Sequence, residues 1–183
     1  ASPAFEFRHF VIMQIKKVGV IGAGQMGNGI AHVCALAGYD VGLYDVSKER
    51  IEAGLATING NLARRVRSGK LSEVERDAAL SRIRAVHSYE GFGDYDLVIE
   101  SAVEDEQVKR KIYQALCPHL KPECLVGSNT SSISITRLAS ATDRPEKFMG
   151  IHFMNPVPVM KLVEVIRGIA TEETTFSVAK EFA

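Results

Sequence analysis

The chain has 183 residues, 46% of them hydrophobic and 24% charged, enough for one ordinary domain with a packed core, or for a domain and part of another. Lys and Arg balance Asp and Glu to a formal charge of zero, so no nucleic-acid surface is expected and any bound anion must meet a local site. Three cysteines are too few and too scattered for a disulfide framework or a zinc site, no metal is expected, and no apolar run approaches the ~20 residues of a membrane span.

Residues 1–12, ASPAFEFRHFVI, share no rhythm with the rest of the chain and lack the marks of a signal or transit peptide. They read as an added leader, with Met13 the natural start. KVGVI at 17–21 predicts a strand, 25–37 a helix stopped by Gly38, and 41–44 a second strand ending on Asp45. Ser47 caps a long helix running to about residue 68, where Gly69 ends it. The sequence SEVE at 72–75 is a capping box for another helix, to about residue 83. A short strand is expected at 85–87 and a stronger one at 97–99. Then come a helix over 105–116 stopped by Pro118, a strand at 125–127 opening into SNTSS, and a strand at 148–153. Residues 163–166 complete a hairpin with that strand. The tail TEETTFSVAKEFA at 171–183 reads as a Thr-capped helix opening a further domain.

Strands alternating with helices predict an α/β fold, a doubly wound and mostly parallel sheet of Rossmann type over 13–170. The helical pair at 48–83 exceeds a normal crossover and is expected to project from the sheet.

GAGQMG at 22–27 fits the G-x-G-x-x-G pattern in its proper setting: a strand before it, a helix after it, and Asp45 at the end of the next strand. Gly22 permits the tight turn, Gly24 leaves room for a pyrophosphate, and Gly27 lets helix and strand pack closely. The helix N-terminus offers N–H donors to the phosphates. Asp45 is placed to accept from a ribose diol and to repel the extra phosphate of NADP, so NAD is the expected cofactor, with nearby Lys48 moderating the preference. The SNTSS cluster either serves a ligand or caps the next short helix through Ser128 or Ser132.

HFMNPVPVMKLVEVI at 152–166 sets a glutamate inside an apolar run. A hairpin centred near Pro158 would bring Glu164 opposite His152, with Cβ atoms about 4.5–5.5 Å apart. A carboxylate there would orient the imidazole and free its other nitrogen for a substrate proton. The spacing equally allows a half-exposed strand with Glu164 on its wet face and His152 in the core. Asn155 before a proline is also a common turn residue.

The blocks KVGVIGAGQMGNGIA, LYDVS, LVIESAVEDEQVK, SNTSSISI and GIHFMNPVPVMKLVEVI together resemble the L-3-hydroxyacyl-CoA dehydrogenases, most of all the bacterial 3-hydroxybutyryl-CoA dehydrogenases. The resemblance implies that His152 is the catalytic acid or base, that Glu164 orients it, and that Ser131 and Asn155 contact substrate or support the histidine. It places Glu104 and Lys109 along the nicotinamide half of the cofactor site, and Gln25, Met26, Asn129 and Ser131 complete the expected cofactor contacts. It assigns part of the CoA site to the helical pair, where Arg64, Arg65, Arg67 and Lys70 are the cations, although a charge run also suits a solvated face.

The family has a second, all-helical domain that covers the active site and forms a homodimer, and this domain is expected to be missing here. The implied whole is a cytoplasmic NAD-dependent enzyme interconverting short-chain L-3-hydroxyacyl-CoA and 3-ketoacyl-CoA. The present chain is expected to bind cofactor but to be poorly active. The alternatives are a dehydrogenase of a free hydroxy acid and a non-enzymatic NAD-binding protein.

Overall fold

A computed structural model describes residues 13–183; the leader read at 1–12 lies outside the described residues. In chain order the elements are β1 (Lys17–Ile21), α1 (Gln25–Leu36), β2 (Asp40–Tyr44), α2 (Lys48–Arg67), α3 (Glu73–Arg82), β3 (Ile83–Ala85) and β4 (Leu97–Glu100). They continue with α4 (Glu106–Leu116), β5 (Leu125–Ser128), α5 (Ile135–Ala139), β6 (Phe148–Phe153), β7 (Val163–Arg167) and α6 (Glu173–Phe182). The seven strands form one sheet in the order β3-β2-β1-β4-β5-β6-β7. All neighbours run parallel except β6 and β7, which pair antiparallel. This is the expected doubly wound, Rossmann-type sheet.

Side chains alternate across each strand, so every central strand feeds two cores. Val18, Val20, Leu97, Ile99, Met149 and Ile151 point into one core, which α1 closes with Ile30, Ala31 and Cys34. Ile21, Val98, Val126 and Phe148 point the other way, against Tyr113 and Leu116 of α4 and Leu138 of α5. Burial on both faces explains why these strands read as continuous apolar runs.

The predicted boundaries hold with four differences. The helix stops Gly38 and Gly69 both adopt positive φ, and Ser72 and Glu75 form the capping box. The third strand sits two residues earlier than expected, at Ile83–Ala85. Ile83 leaves α3 directly in extended conformation and pairs with Val41, so its β-branched side chain starts the strand instead of ending the helix. The short helix α5 is capped by Ser134, whose hydroxyl accepts from the Arg137 N–H at 3.3 Å, and by neither Ser128 nor Ser132. Thr171 does not cap α6. Its hydroxyl donates to the Phe148 carbonyl and accepts from the Gly168 N–H, each at 2.8 Å, which ties the tail to β6. Finally, α6 packs on β6 and β7 and places Val178 and Ala179 in the first core, so residues 171–183 continue this domain where a new one was expected.

The helical pair α2–α3 stays joined to the sheet layer by lying over α1, with Ile58, Leu62 and Ala79 in the first core. Its outer surface and distal turn are exposed.

Candidate active site

The order of connection reverses between β1 and β4, the place where open α/β sheets gather ligands beyond the carboxyl ends of their strands. The glycine loop crosses this edge. Gly22 has φ +102°, and a Cβ there would lie 2.4 Å from the Ser101 carbonyl oxygen. A Cβ on Gly27 would fall 1.6 Å from the Gly22 carbonyl oxygen, so only glycine lets α1 rest on the loop. At Gly24, by contrast, a Cβ would meet nothing within 4 Å, and this N-cap gives α1 no side-chain cap. The first turn therefore presents uncapped N–H groups to open space, which fits a diphosphate.

Asp45 is both a candidate ribose acceptor and a strut. Its Oδ2 accepts from the Ala23 N–H at 2.9 Å and its Oδ1 from the Val46 N–H at 2.7 Å. Each oxygen keeps a lone pair for a ribose hydroxyl. The nearby cation is Arg50, 3.8 Å from Oδ1, whereas Lys48 pairs with Glu52, so the moderating role read for Lys48 belongs by position to Arg50. Nothing in the motif pointed to Arg50, which reaches back one turn from α2.

His152, the penultimate residue of β6, lies opposite Glu164 on β7, in the register the hairpin predicted. The ring Nδ1 lies 2.9 Å from Glu164 Oε2. The apolar run around Glu164 is not a buried one: β7 is an edge strand, Leu162 is 57% exposed, and the Glu164 side chain is 49% exposed. Both readings of the spacing therefore contain part of the answer, a wet-face glutamate that is nonetheless bonded to the histidine.

Around His152 lies a cleft of about 290 Å³ bordered by Met26, Ser101, Glu104, Asn129, Ser131 and Asn155. Asn129 is partly committed, since its Oδ1 accepts from the Phe153 N–H at 2.8 Å and so ties the end of β5 to the end of β6. Ser131 is exposed to the cleft. Asn155 accepts at Oδ1 from the Gln25 side chain at 3.2 Å, which joins the histidine loop to the glycine loop.

Lys109 departs from the expected picture. It is 1% exposed and does not border this cleft; its Nζ lies 2.7 Å from Glu100 Oε1 and 3.8 Å from Glu104 Oε2. It is a buried counter-charge and not a lining residue. Glu100, which sequence reasoning missed, is the hub. Its carboxylate accepts from the Ala102 N–H, Lys109, the Tyr113 hydroxyl and the Ser128 hydroxyl, at 2.6–2.8 Å. A glutamate closing the apolar run DLVIE was the available signal. Burial and then the Glu100 charge push the Tyr113 hydroxyl well above the ordinary phenol range, so it stays a donor. Burial alone would raise the Glu104 carboxyl. The Thr130 hydroxyl, Lys109 and Ser132 outweigh it and hold Glu104 below the usual range, ionised at the cleft edge.

A larger cleft of about 960 Å³ runs between α1, α2 and the loop 155–159. Arg64 and Arg65 line it from α2, and Lys70 from the turn beyond. Arg67 does not, because its helical position falls outside the stripe made by Asn61, Arg64, Arg65 and Ser68. Asn155 borders both clefts. Burial raises the thiols of Cys34 and Cys124 to about 12 and that of Cys117 to about 11, so none is a nucleophile at neutral pH. Among the described residues no group of three His, Cys, Asp or Glu side chains could hold a metal, and no helix is long and apolar enough to cross a membrane.

Comparison with known proteins agrees with this geometry. A 3-hydroxybutyryl-CoA dehydrogenase of Bradyrhizobium diazoefficiens is 67% identical over 168 residues, 92% of this chain and 57% of that protein. A probable 3-hydroxybutyryl-CoA dehydrogenase of Bacillus subtilis is 47% identical over 163 residues, 89% of this chain and 57% of that protein. The crystal structure of (S)-3-hydroxybutyryl-CoA dehydrogenase from Ralstonia eutropha matches with a TM-score of 0.90 at 43% identity, over 92% of this chain and 60% of that one. The chain thus spans less than two thirds of the length of these relatives. The family model for the NAD-binding domain of 3-hydroxyacyl-CoA dehydrogenase matches residues 17–183, and the chain belongs to that family.

Proposed function

We propose that this chain is the cofactor-binding and proton-transferring part of an NAD-dependent dehydrogenase that interconverts a short-chain L-3-hydroxyacyl-CoA and the 3-ketoacyl-CoA. The observation that carries the reading is the 2.9 Å contact between His152 and Glu164, in one cleft with Ser131 and beside the glycine loop. With Glu164 accepting from Nδ1–H, the ring Nε2 is left bare to accept a proton. In oxidation it takes the proton of the 3-hydroxyl, while the hydride on the same carbon leaves and a carbonyl forms. NAD, when bound, supplies the acceptor for that hydride. Glu164 stabilises the imidazolium, and Ser131 hydrogen-bonds the reacting oxygen. The uncapped start of α1 receives the diphosphate and Asp45 the ribose, with Gln25 and Met26 beside them. Arg64, Arg65 and Lys70 meet the phosphates of the CoA arm in the larger cleft.

In this reading the whole enzyme is a homodimer through a helical domain, and the 183 residues alone bind cofactor but turn over slowly. Three buried, unpaired cysteines support a reducing, cytoplasmic setting. The test is reduction of acetoacetyl-CoA and of free acetoacetate by NADH, using this chain and a version extended to the length of its relatives. NADH binding by both, with turnover of the thioester by the longer one, supports the reading. Turnover of the free acid alone, or NADH binding with no turnover of either substrate by the longer version, overturns it.

A further inference from the structure

Among the described residues, the buried side-chain atoms without a hydrogen-bond partner are the two ring nitrogens of His32. Buried polar atoms are nearly always paired, and an unpaired pair of ring nitrogens costs stability that a leucine would not. His32 comes one turn after Asn28 on α1, is 1% exposed, and forms part of the wall of the larger cleft. The same cleft carries Arg64, Arg65 and Lys70. An unsatisfied imidazole and three cations lining one cleft call for an anionic ligand with a further hydrogen-bonding group.

We propose that His32 is a ligand-binding and specificity-determining residue of this cleft, hydrogen-bonding a polar group of the anionic molecule that Arg64, Arg65 and Lys70 hold. The identity of that molecule as the CoA arm of the substrate rests on the proposed function. Burial, and then the charge of Arg65, push the imidazole down to about 4, so at neutral pH it presents one donor and one acceptor. The charged groups around it are Arg64 and Arg65 on α2, Lys70 in the turn, and on α3 Glu75, which interacts with Arg65, and Arg82, which donates to the Ala35 carbonyl. The cleft residues of loop 155–159 add none. A phosphate on Arg65 offsets the smaller of the two causes of the low value, while burial, the larger one, remains, so the imidazole stays neutral when the cleft is filled near pH 7.

The experiment is calorimetric titration of CoA into the wild-type chain, His32→Leu and His32→Gln, with NADH affinity and melting temperature as companions. His32→Leu is expected to melt higher when empty, to keep its NADH affinity and to bind CoA roughly tenfold more weakly. His32→Gln, which retains a donor and an acceptor, recovers most of the affinity. Wild-type binding that His32→Leu leaves within twofold overturns the role of His32 and spares the proposed function. Failure of the wild type to bind CoA while it binds NADH overturns both.

Discussion

His152 and Glu164 share one hydrogen bond, but removing either should not cost the same. On the proposed function His152→Ala deletes the imidazole that takes the substrate proton, the one such ring among the described residues of the smaller cleft, and is expected to lower kcat of the extended enzyme by about 10²–10⁴-fold with NADH affinity unchanged. Glu164→Gln keeps a hydrogen-bonding side chain of the same size and loses only charge. Because Glu164 is half exposed, water softens that loss, and a smaller fall, about tenfold in kcat with KM unchanged, is expected from steady-state kinetics. His32 makes a second residue-level prediction. Its folded value of about 4 lies below the ordinary 6.5, so between these pH values the unfolded chain binds more protons and the fold loses stability as pH falls. The loss is on the order of 3 kcal/mol by pH 4. Urea denaturation at pH 7 and near pH 4 should show a gap between wild type and His32→Leu that widens towards acid.

At the scale of elements, α4 is anchored by a charge and not only by its apolar face. Lys109 reaches from α4 to Glu100 at the end of β4, where both are buried. Lys109→Met leaves the Glu100 carboxylate without its counter-charge, a change that costs about 3–5 kcal/mol in comparable buried pairs. Chemical denaturation should report a loss of that size, whereas a cofactor contact would lower NADH affinity and leave stability intact. This is also where the sequence is hardest to read. The hairpin register follows from the prolines and the period of two, because pairing across a short turn is local. The glycine loop follows from sterics that a Cβ would violate. Lys109, which the resemblance sets along the cofactor site, is harder, because its buried partner shows only once the position of Glu100 is known. The third strand is misplaced because Ile83 suits a helix end and a strand start equally, and only its pairing with Val41 decides. Arg50 and His32 depend on how α2 lies over the loop and over α1, information that no single segment carries.

At the scale of the whole molecule, net charge is zero while the larger cleft concentrates cations, so attraction for a polyphosphate is local and open to screening. Arg65→Ala is expected to weaken CoA binding several-fold and to flatten its dependence on salt, whereas Arg67→Ala, outside the cleft, should leave both unchanged. Calorimetry at about 50 and 300 mM salt separates them; equal effects would show that the helical pair acts through its summed charge. The two clefts share Asn155, which lines both and accepts at its side-chain oxygen from Gln25 in the glycine loop. That shared wall has a pharmacological consequence. A single compound with one head beside His152 and another on the α2 cations would need to cross only one side chain, and its second contact would be intramolecular. On the proposed function such a compound mimics the two ends of one acyl-CoA, and it gains about 10²–10⁴-fold over either head alone, provided its linker spans Asn155.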